Sequence, residues 1–234
     1  MLNDIYTVLW KEARELVLQQ GSPWRWAGMQ ALNLAVLGGF LPWQFGRAWV
    51  ESPAMMALWL WMPLLNTVNV AADSFAGERE RHTLETLLAS RLPDRAIVLG
   101  KVLVAVGYGW ATALGAALVG LVSVNLFHGN GEWVMYRPEV WVGLALLTPL
   151  ASGLVATLGA LVSLRASTVR HAFQVLGVGM LVLTMGPVLA MRYLPPVTVD
   201  PRQAVLVVCV GLVAVLALAL AAAFNRFRRT RIPL

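Results

Sequence analysis

Long apolar segments follow one another along nearly the whole chain, and they constrain its fold more than any other feature. Hydrophobic residues make up 59% of the 234 residues and charged residues only 13%, and the mean hydropathy is +0.69. A soluble domain usually carries about 25% charged residues. Because an apolar helix of about 20 residues crosses the hydrocarbon core of a bilayer, this composition predicts an all-α polytopic membrane protein.

Six transmembrane helices are expected from these segments. Their expected bounds are 24–44, 53–75, 102–126, 140–164, 172–191 and 203–224. The third apolar stretch runs from Ala96 to Phe127, longer than one perpendicular crossing, so this helix either tilts or begins as an interfacial turn near Arg95. The remaining segments leave no room for a soluble catalytic domain. We expect one transmembrane domain over 1–234, divided into an interfacial helix (1–23), spans one and two (24–75), a cytoplasmic loop (76–95), spans three to six (96–224) and a basic tail (225–234).

Lysine and arginine residues are distributed unevenly between the two ends of the predicted spans. Fourteen of the 18 lie on the side that holds both termini, and the other side holds only Arg47, Arg137, Arg192 and Arg202. Since basic residues are retained on the cytoplasmic side, both termini are predicted to be cytoplasmic in a multi-pass protein of the cell inner membrane. Topology thus accounts for the net positive charge, and no nucleic-acid partner is expected.

The first twenty residues predict an amphipathic helix ahead of the first span. Apolar residues recur there at spacings of three and four, with charged residues between them. Pro23 then separates this segment from span one. A helix of this kind lies along the membrane surface as an elbow. The sequence leaves open whether it also contacts a cytoplasmic partner or serves only as an anchor.

One structured polar element is predicted between spans two and three, in the stretch Ala76–Leu103. The residues from Leu84 to Arg91 place apolar side chains at the spacing of one helical face, which predicts a helix of two to three turns. Thr83 is expected to cap the start of this helix, and Pro93 is expected to end it. The alternative is a solvated loop whose arginines only set the topology.

This stretch also resembles the loop between spans two and three of ABC-2-type transporter permeases. In that family an acidic and basic run precedes a threonine-leucine-glutamate helix, a proline follows, and a glycine-lysine pair opens the third span. The counterparts in this sequence are Glu78 and Glu80, then Thr83, Leu84 and Glu85, then Pro93, then Gly100 and Lys101. His82 stands where the family often has glycine. The six-span plan and the elbow extend the resemblance over the whole chain.

The resemblance implies a transport subunit that has no motor of its own. In that family two permeases, identical or paralogous, form a dimer in the membrane lipid, and each rests on a cytoplasmic ABC ATPase subunit that uses ATP and Mg²⁺. Closure of the ATPases would push on this loop, the coupling helix, and tilt the spans. The implied contacts with the ATPase subunit are Glu78, Arg79, Glu80, Arg81, Thr83, Leu84, Glu85 and Leu88.

The sequence agrees with this division of labour because it has no phosphate-binding loop. Such a loop needs a glycine five residues before its glycine-lysine pair, and Arg95 stands at that distance before Gly100 and Lys101. We therefore expect no enzymatic activity and no cofactor bound by this chain. The three histidines lie far apart in the sequence, so no metal site is expected either.

Polar side chains occur inside two of the predicted spans. Span two carries Asn66, Asn69 and Asp73 on one helical face, and span one carries Gln30 and Asn33. Gln30 and Asn69 both lie about six residues, or about 9 Å of helical rise, from the predicted inner boundary. Because polar groups in hydrocarbon need partners or water, these faces should point into the bundle. They either line a translocation pathway or form hydrogen bonds that hold the spans together.

Pairs of glycines inside the later spans predict close contacts between helices, since small residues let two backbones approach each other in a membrane. The pairs are Gly115 and Gly120, Gly153 and Gly159, and Gly177 and Gly179.

These patterns together favour the membrane-spanning permease subunit of an ATP-driven ABC exporter. A rival interpretation is a non-transporting membrane scaffold or assembly factor for cofactor or respiratory-complex maturation. An intramembrane enzyme is a weaker rival, because the predicted spans contain no paired acidic residues, no HExxH motif and no serine-histidine pairing. The sequence leaves open the substrate, the direction of transport and the presence of further subunits.

Overall fold

The computed structural model describes residues 1–18, 21–193 and 201–227, without the side chains of 53–54, 56–62, 182–208 and 226. Residues 228–234, most of the predicted basic tail, lie outside the described residues. Within the described ranges the chain is helical and contains no strand. The fold therefore belongs to the all-α class that the composition predicts.

The helices follow one another with short connections. Their bounds are α1 (Leu2–Leu18), α2 (Pro23–Leu34), the π-helical segment π1 (Ala35–Phe40), α3 (Leu41–Phe45), α4 (Ala48–Glu51), α5 (Pro53–Glu80), α6 (Leu84–Ala89), α7 (Asp94–His128), α8 (Pro138–Val142), the π-helical segment π2 (Gly143–Leu147), α9 (Thr148–Ser163), α10 (Val169–Tyr193) and α11 (Pro201–Arg226).

Two helical stretches in the described part of the chain are long and apolar enough to cross a membrane, judged by length and composition. They are Asp94–His128, with 35 residues, and Pro138–Ser163, with 26 residues. The first is one continuous helix that begins at Asp94, so the alternative of a separate interfacial turn near Arg95 was wrong. The second consists of α8, π2 and α9, which follow one another without a break, so the π-helical turn lies inside one continuous helical stretch.

Helix α5 is longer than predicted. The sequence places the end of span two at Phe75 and the start of a loop at Ala76, but the helix continues to Glu80. The charged run Glu78–Arg81 therefore belongs largely to the end of a helix, not to a flexible loop. That difference matters for the site, because a helix fixes the directions in which successive charged side chains point.

Helix α7 lies at the centre of the bundle, where it packs against α1, α5, α9 and π1. Both π-helical segments present a backbone carbonyl to it. Trp110 donates its indole N–H to Leu144 O (2.9 Å), and Ser123 donates its hydroxyl to Gly39 O (3.1 Å). A π-helical turn interrupts the regular α-helical hydrogen-bond pattern, and side chains of α7 bind the two carbonyls.

Close packing between α5 and α9 depends on a predicted glycine. A Cβ atom on Gly159 would lie 2.5 Å from the Cβ of Ala71, so a larger residue would force the two helices apart. The same prediction was wrong for Gly177 and Gly179 in α10. Within the described part of the chain, no atom lies within 4 Å of a Cβ built at either position.

A tight turn ends α5 and leads into α6. Thr83 N–H donates to Glu78 O (2.9 Å), and His82 N–H donates to Arg79 O (3.1 Å), which is the paired pattern of a Schellman motif. His82 has a φ of 56°, in the left-handed region. Glycine adopts this region most easily, which gives a physical reason for glycine at this position in similar sequences.

The expected cap by Thr83 was wrong. Its side chain makes no capping hydrogen bond with α6, because its hydroxyl donates to Glu78 O (3.3 Å) and reinforces the preceding turn. The helix α6 has only 6 residues, shorter than the predicted two to three turns. It ends four residues before Pro93, which instead lies at the N-cap of α7.

Replacing His82 with glycine tests the turn directly. We expect His82→Gly to raise the free energy of unfolding by about 1 kcal/mol, because the left-handed φ then carries no side-chain penalty. The measurement is the midpoint of thermal unfolding in detergent. His82→Ala is the control and should give no gain, since it removes the imidazole without relieving the backbone. An equal gain from alanine would contradict the account.

Candidate functional site

A buried cluster of charged residues lies at the end of the bundle that carries α6, which we call the α6 end. The ammonium group of Lys101 in α7 is its centre, with a side chain only 1% exposed. Its Nζ atom lies 2.7 Å from Glu12 Oε1 and 3.1 Å from Glu78 Oε1, and it donates to Ser74 O at 2.7 Å. Three acceptors match the three N–H groups of a lysine, so Lys101 joins α1, α5 and α7.

A second lysine completes the cluster from the surface side. Lys11 Nζ lies 2.8 Å from Glu78 Oε1 and 3.3 Å from both Glu12 Oε1 and Glu15 Oε1. Burial by itself lowers the pKa of Lys11, but the carboxylates of Glu12, Glu78 and Glu15 outweigh burial and raise the pKa above its ordinary value. Lys11 therefore stays protonated throughout the physiological range.

The three carboxylates of this cluster lie close enough together to suggest a cation site. Glu12, Glu15 and Glu78 present oxygens within 4.8 Å of one another. The ammonium groups of Lys11 and Lys101, however, already lie against those oxygens. The arrangement is that of an ion-pair network between helices, in which lysines supply the positive charge.

The glycine-lysine pair at the start of span three now has a physical explanation. A Cβ atom on Gly100 would lie 2.5 Å from Val8 Cγ1, so only glycine lets α1 approach α7 this closely. Val8 is itself buried, and the next residue of α7, Lys101, forms the ion pair with Glu12 of the same helix. Glycine makes the contact possible and lysine holds it, which ties α1 to the bundle.

Two neighbours of Glu78 connect α5 to the other side of the bundle. Arg79 donates to Leu164 O at 2.9 Å and also to Ala166 O, just beyond the end of α9. Glu80 accepts a hydrogen bond from Val169 N–H (2.8 Å) at the start of α10. An acidic side chain at a helix N-terminus binds the unpaired N–H groups there, and its negative charge interacts favourably with the positive end of the helix dipole. Three consecutive side chains of α5 thus reach four other helices, α1, α7, α9 and α10.

The next residue, Arg81, binds a side chain of its own helical segment. Arg81 pairs with Asp73 on the same helix through two N···O distances of 3.2 Å, and both side chains are partly exposed. A surface pair of this kind contributes at most about 1 kcal/mol.

Helix α6 has one buried and one exposed face. Leu84 and Leu87 are buried in a cluster that includes Phe75 and Phe227, and Leu88 packs partly against that cluster. The side chains of the opposite face, Glu85, Thr86 and Ala89, are exposed at the α6 end. The apolar stripe therefore packs on this chain itself, and the polar face is the part that remains accessible.

Thus the eight residues that the resemblance implies as ATPase contacts divide into two groups. The side chains of Glu78 and Leu84 are buried, and those of Arg79 and Leu88 are partly buried against this chain. The exposed members are Glu80, Arg81, Thr83 and Glu85. Any partner at this end meets the exposed members first.

A polar cavity of about 290 Å³ lies beside the charged cluster, between α1, α2, α5 and α7. All five residues of the predicted polar faces line it: Gln30, Asn33, Asn66, Asn69 and Asp73. The other lining residues are Glu12, Leu16, Met29, Val70, Ser74, Val104 and Tyr108. The spacing predicts a similar depth for the two polar faces, and in the structure both faces lie around this one cavity.

The cavity wall is rich in groups that form hydrogen bonds. Gln30 donates its amide to the Tyr108 hydroxyl (2.5 Å), and Asn66 donates to the Thr112 hydroxyl (3.3 Å). The side chain of Asn69 is exposed and lines the cavity, and it makes no hydrogen bond to another described side chain. No lysine or arginine is among the described lining residues. The space suits a polar guest that is not an anion.

Comparison with known families identifies the chain. A family model described as "ABC-2 family transporter protein" matches residues 50–218, which include the charged end of α5, α6 and Lys101. This chain belongs to the ABC-2 transporter family. It is therefore a permease-type membrane component of an ABC transporter and is not itself the enzyme. No curated protein sequence matches the chain.

Sequence reasoning found the polar cavity of this ABC-2 permease but missed the charged cluster. The sequence marks Lys101 only through the family resemblance, and Glu12 only as a polar position of an amphipathic helix. One signal was available. A lysine followed by a long apolar run needs a buried counter-ion or an exposed position, and Glu12 and Glu78 are acidic residues on neighbouring segments.

Removing the central ammonium group should destabilise the fold strongly. We expect Lys101→Met to lower the free energy of unfolding by about 3–5 kcal/mol, because Glu12 and Glu78 then stay buried without that cation. Unfolding in mixed micelles measures this loss. Adding Glu78→Gln to Lys101→Met should recover much of it, since the cluster then holds one buried carboxylate fewer against the remaining cation, Lys11.

The matched control is Arg81→Met, which removes a cation from a partly exposed ion pair at the same end of the bundle. It should change the free energy of unfolding by no more than about 1 kcal/mol. If Lys101→Met is as mild as Arg81→Met, the buried cluster does not hold the helices together.

Proposed function

We propose that this ABC-2 permease is the membrane subunit of an ATP-driven exporter that works as a dimer with a separate ATP-binding subunit. The observation that carries the proposal is the end of α5. There α6 presents an exposed polar face, and Glu78, Arg79 and Glu80 connect its base to α1, α7, α9 and α10. A push on α6 would be transmitted to most of the bundle at once.

Six spans are the arrangement that best fits the helices. Besides the two long apolar stretches, the composite helix Pro23–Phe45, together with α5, α10 and α11, provides four further elements. At about 1.5 Å per residue, each is long enough for the roughly 30 Å of hydrocarbon. The excess of lysine and arginine at the α6 end supports a cytoplasmic position for that end and for both termini.

In this proposal the exposed face of α6 docks into the ATPase subunit. Glu85 and Thr86 supply polar contacts, and the buried Leu84 and Leu87 anchor the helix to its own bundle. Glu78 and Arg79 then transmit a movement of α6 to α7 and α9. The lack of a phosphate-binding loop supports an ATPase on another chain, since transport by this route needs nucleotide hydrolysis.

The coupling surface can be tested by charge reversal. We expect the permease to co-purify with an ATPase and to stimulate ATP hydrolysis, and Glu85→Lys to abolish most of that stimulation, because the docking face then carries the wrong charge. Hydrolysis by the reconstituted complex is the measurement. Glu51→Lys, at an exposed position near the other end of the bundle, is the control and should have no effect.

Two results would argue against the proposal. If no ATPase binds under any condition, the scaffold or assembly-factor interpretation gains support. If Glu85→Lys and Glu51→Lys behave alike in a complex that does hydrolyse ATP, docking occurs elsewhere.

The polar cavity is the proposed start of the translocation pathway. The cavity lies between α2 and α5, beside the charged end of α5, so a movement of α6 that shifts α5 would change its shape. Amides and Tyr108 offer hydrogen bonds to a guest, and no described cation lines the wall. The alternative is that these polar groups only join helices.

A pair of variants separates the pathway from a purely structural role. Asn69→Leu removes an amide from the cavity wall, and we expect transport to fall several-fold while the fold stays stable. Thr112→Val removes the hydroxyl that Asn66 binds but leaves the lining residues unchanged. It should lower stability by about 1 kcal/mol with little effect on transport. Normal transport by a stable Asn69→Leu protein would refute the pathway role.

A further inference from the structure

A second concavity lies on the opposite side of α9 from the polar cavity. It is a groove of about 520 Å³ between α9, α10 and α11. Its wall is almost wholly apolar, with Leu154, Leu158, Leu161, Val175, Gly179 and Ala222 among the lining residues. Nothing in the transport mechanism proposed above uses this groove.

The groove exists because small residues line it where α10 passes α9. Gly179 lies in its wall, and no atom is found within 4 Å of the place where its Cβ would be. Helices α10 and α11 both pack against α9. The open space therefore lies between them, at the side of the bundle.

The length of the groove matches one leaflet of a bilayer. Its floor runs from Leu154 along α9 to Arg165, two residues past the end of the helix, about 16 Å at the helical rise per residue. Half of the hydrocarbon core measures about 15 Å. A groove of this length, open at the side, has the dimensions of a slot for a hydrocarbon chain.

One charged residue marks the end of the slot. Arg165 is the single lysine or arginine among the described lining residues, and its side chain is exposed at the α6 end. No described carboxylate lies within ion-pair distance of its guanidinium group. Arginine binds phosphate with planar, paired N–H donors. The charge lies where the slot reaches the headgroup level of that leaflet.

We propose that this groove binds an anionic phospholipid of the cytoplasmic leaflet, with an acyl chain between α10 and α11 and the phosphate at Arg165. The leaflet assignment rests on the orientation in the proposed function. The lipid fills a space that the described side chains leave empty and thereby fixes the separation of α10 and α11. A second copy of this chain is the competing occupant.

Two matched pairs of variants test the proposal by native mass spectrometry of the purified permease from nanodiscs that contain equal phosphatidylglycerol and phosphatidylcholine. Gly179→Leu fills the slot, whereas Gly177→Leu adds the same side chain to the same helix outside the lining residues, also in open space. Arg165→Gln removes the cation at the slot, whereas Arg170→Gln removes an exposed cation of the same end.

We expect the unchanged protein to retain phosphatidylglycerol in preference to phosphatidylcholine. Arg165→Gln should reduce that preference about fivefold, as expected for one basic residue at an anionic surface, and Gly179→Leu should remove the retained lipid of either kind. Both control variants should behave like the unchanged protein. Equal retention by Arg165→Gln and Arg170→Gln would overturn the charge-specific binding.

The remaining outcomes are equally decisive. If Gly179→Leu retains lipid like Gly177→Leu, the slot is not the binding site. If Gly179→Leu instead converts a dimer to a monomer without changing lipid retention, the groove is an interface between copies. Lipid retention is measured without the ATPase, so a failure of ATPase coupling leaves this test intact. Labelling Arg165→Cys and Glu132→Cys with a membrane-impermeant thiol reagent shows separately on which side of the membrane each end lies.

Discussion

The buried contact between Lys101 and the carboxylates of Glu12 and Glu78 is the interaction on which the rest of the structure depends. An ammonium group removed from water is tolerated only where acceptors satisfy it, and here they come from α1 and α5. This requirement brings α1 onto the bundle beside Gly100. It also fixes the direction of α5 at the point where α6 begins. The charged end of the molecule is therefore a rigid junction of helices.

That junction gives the coupling proposal its physical content. The residues after Glu78 extend the junction to the ends of α9 and α10 through Arg79 and Glu80. Ser163 of α9 adds to it by accepting hydrogen bonds from two backbone N–H groups of α5. A force on the short helix α6 would move several helices together, and the polar cavity lies directly beside them. The leaflet-length groove shares no lining residue with the cavity, and its charged end, Arg165, lies between the two residues whose carbonyls Arg79 binds.

Features set by local spacing could be predicted from the sequence, and features set by contacts between distant segments could not. The apolar runs predict the helical class and the long α7, and the shared depth of Gln30 and Asn69 predicts their common cavity. The continuation of α5 to Glu80 differs from the prediction, because charged residues after an apolar span favour a loop by composition alone. The inward direction of Glu78 and the open surroundings of Gly177 depend on neighbours that no local pattern identifies.

The most direct test of the rigid junction is a pair of distances measured by spin labels in the complex with the ATPase. Labels at Arg14 in α1 and Thr86 in α6, both exposed, report on the junction, and labels at Thr86 and Glu132 report on the distance between the two ends of the bundle. Between the nucleotide-free and ATP-bound states, the second distance should change and the first should stay constant. A change between Arg14 and Thr86 as large as that between Thr86 and Glu132 would contradict the account.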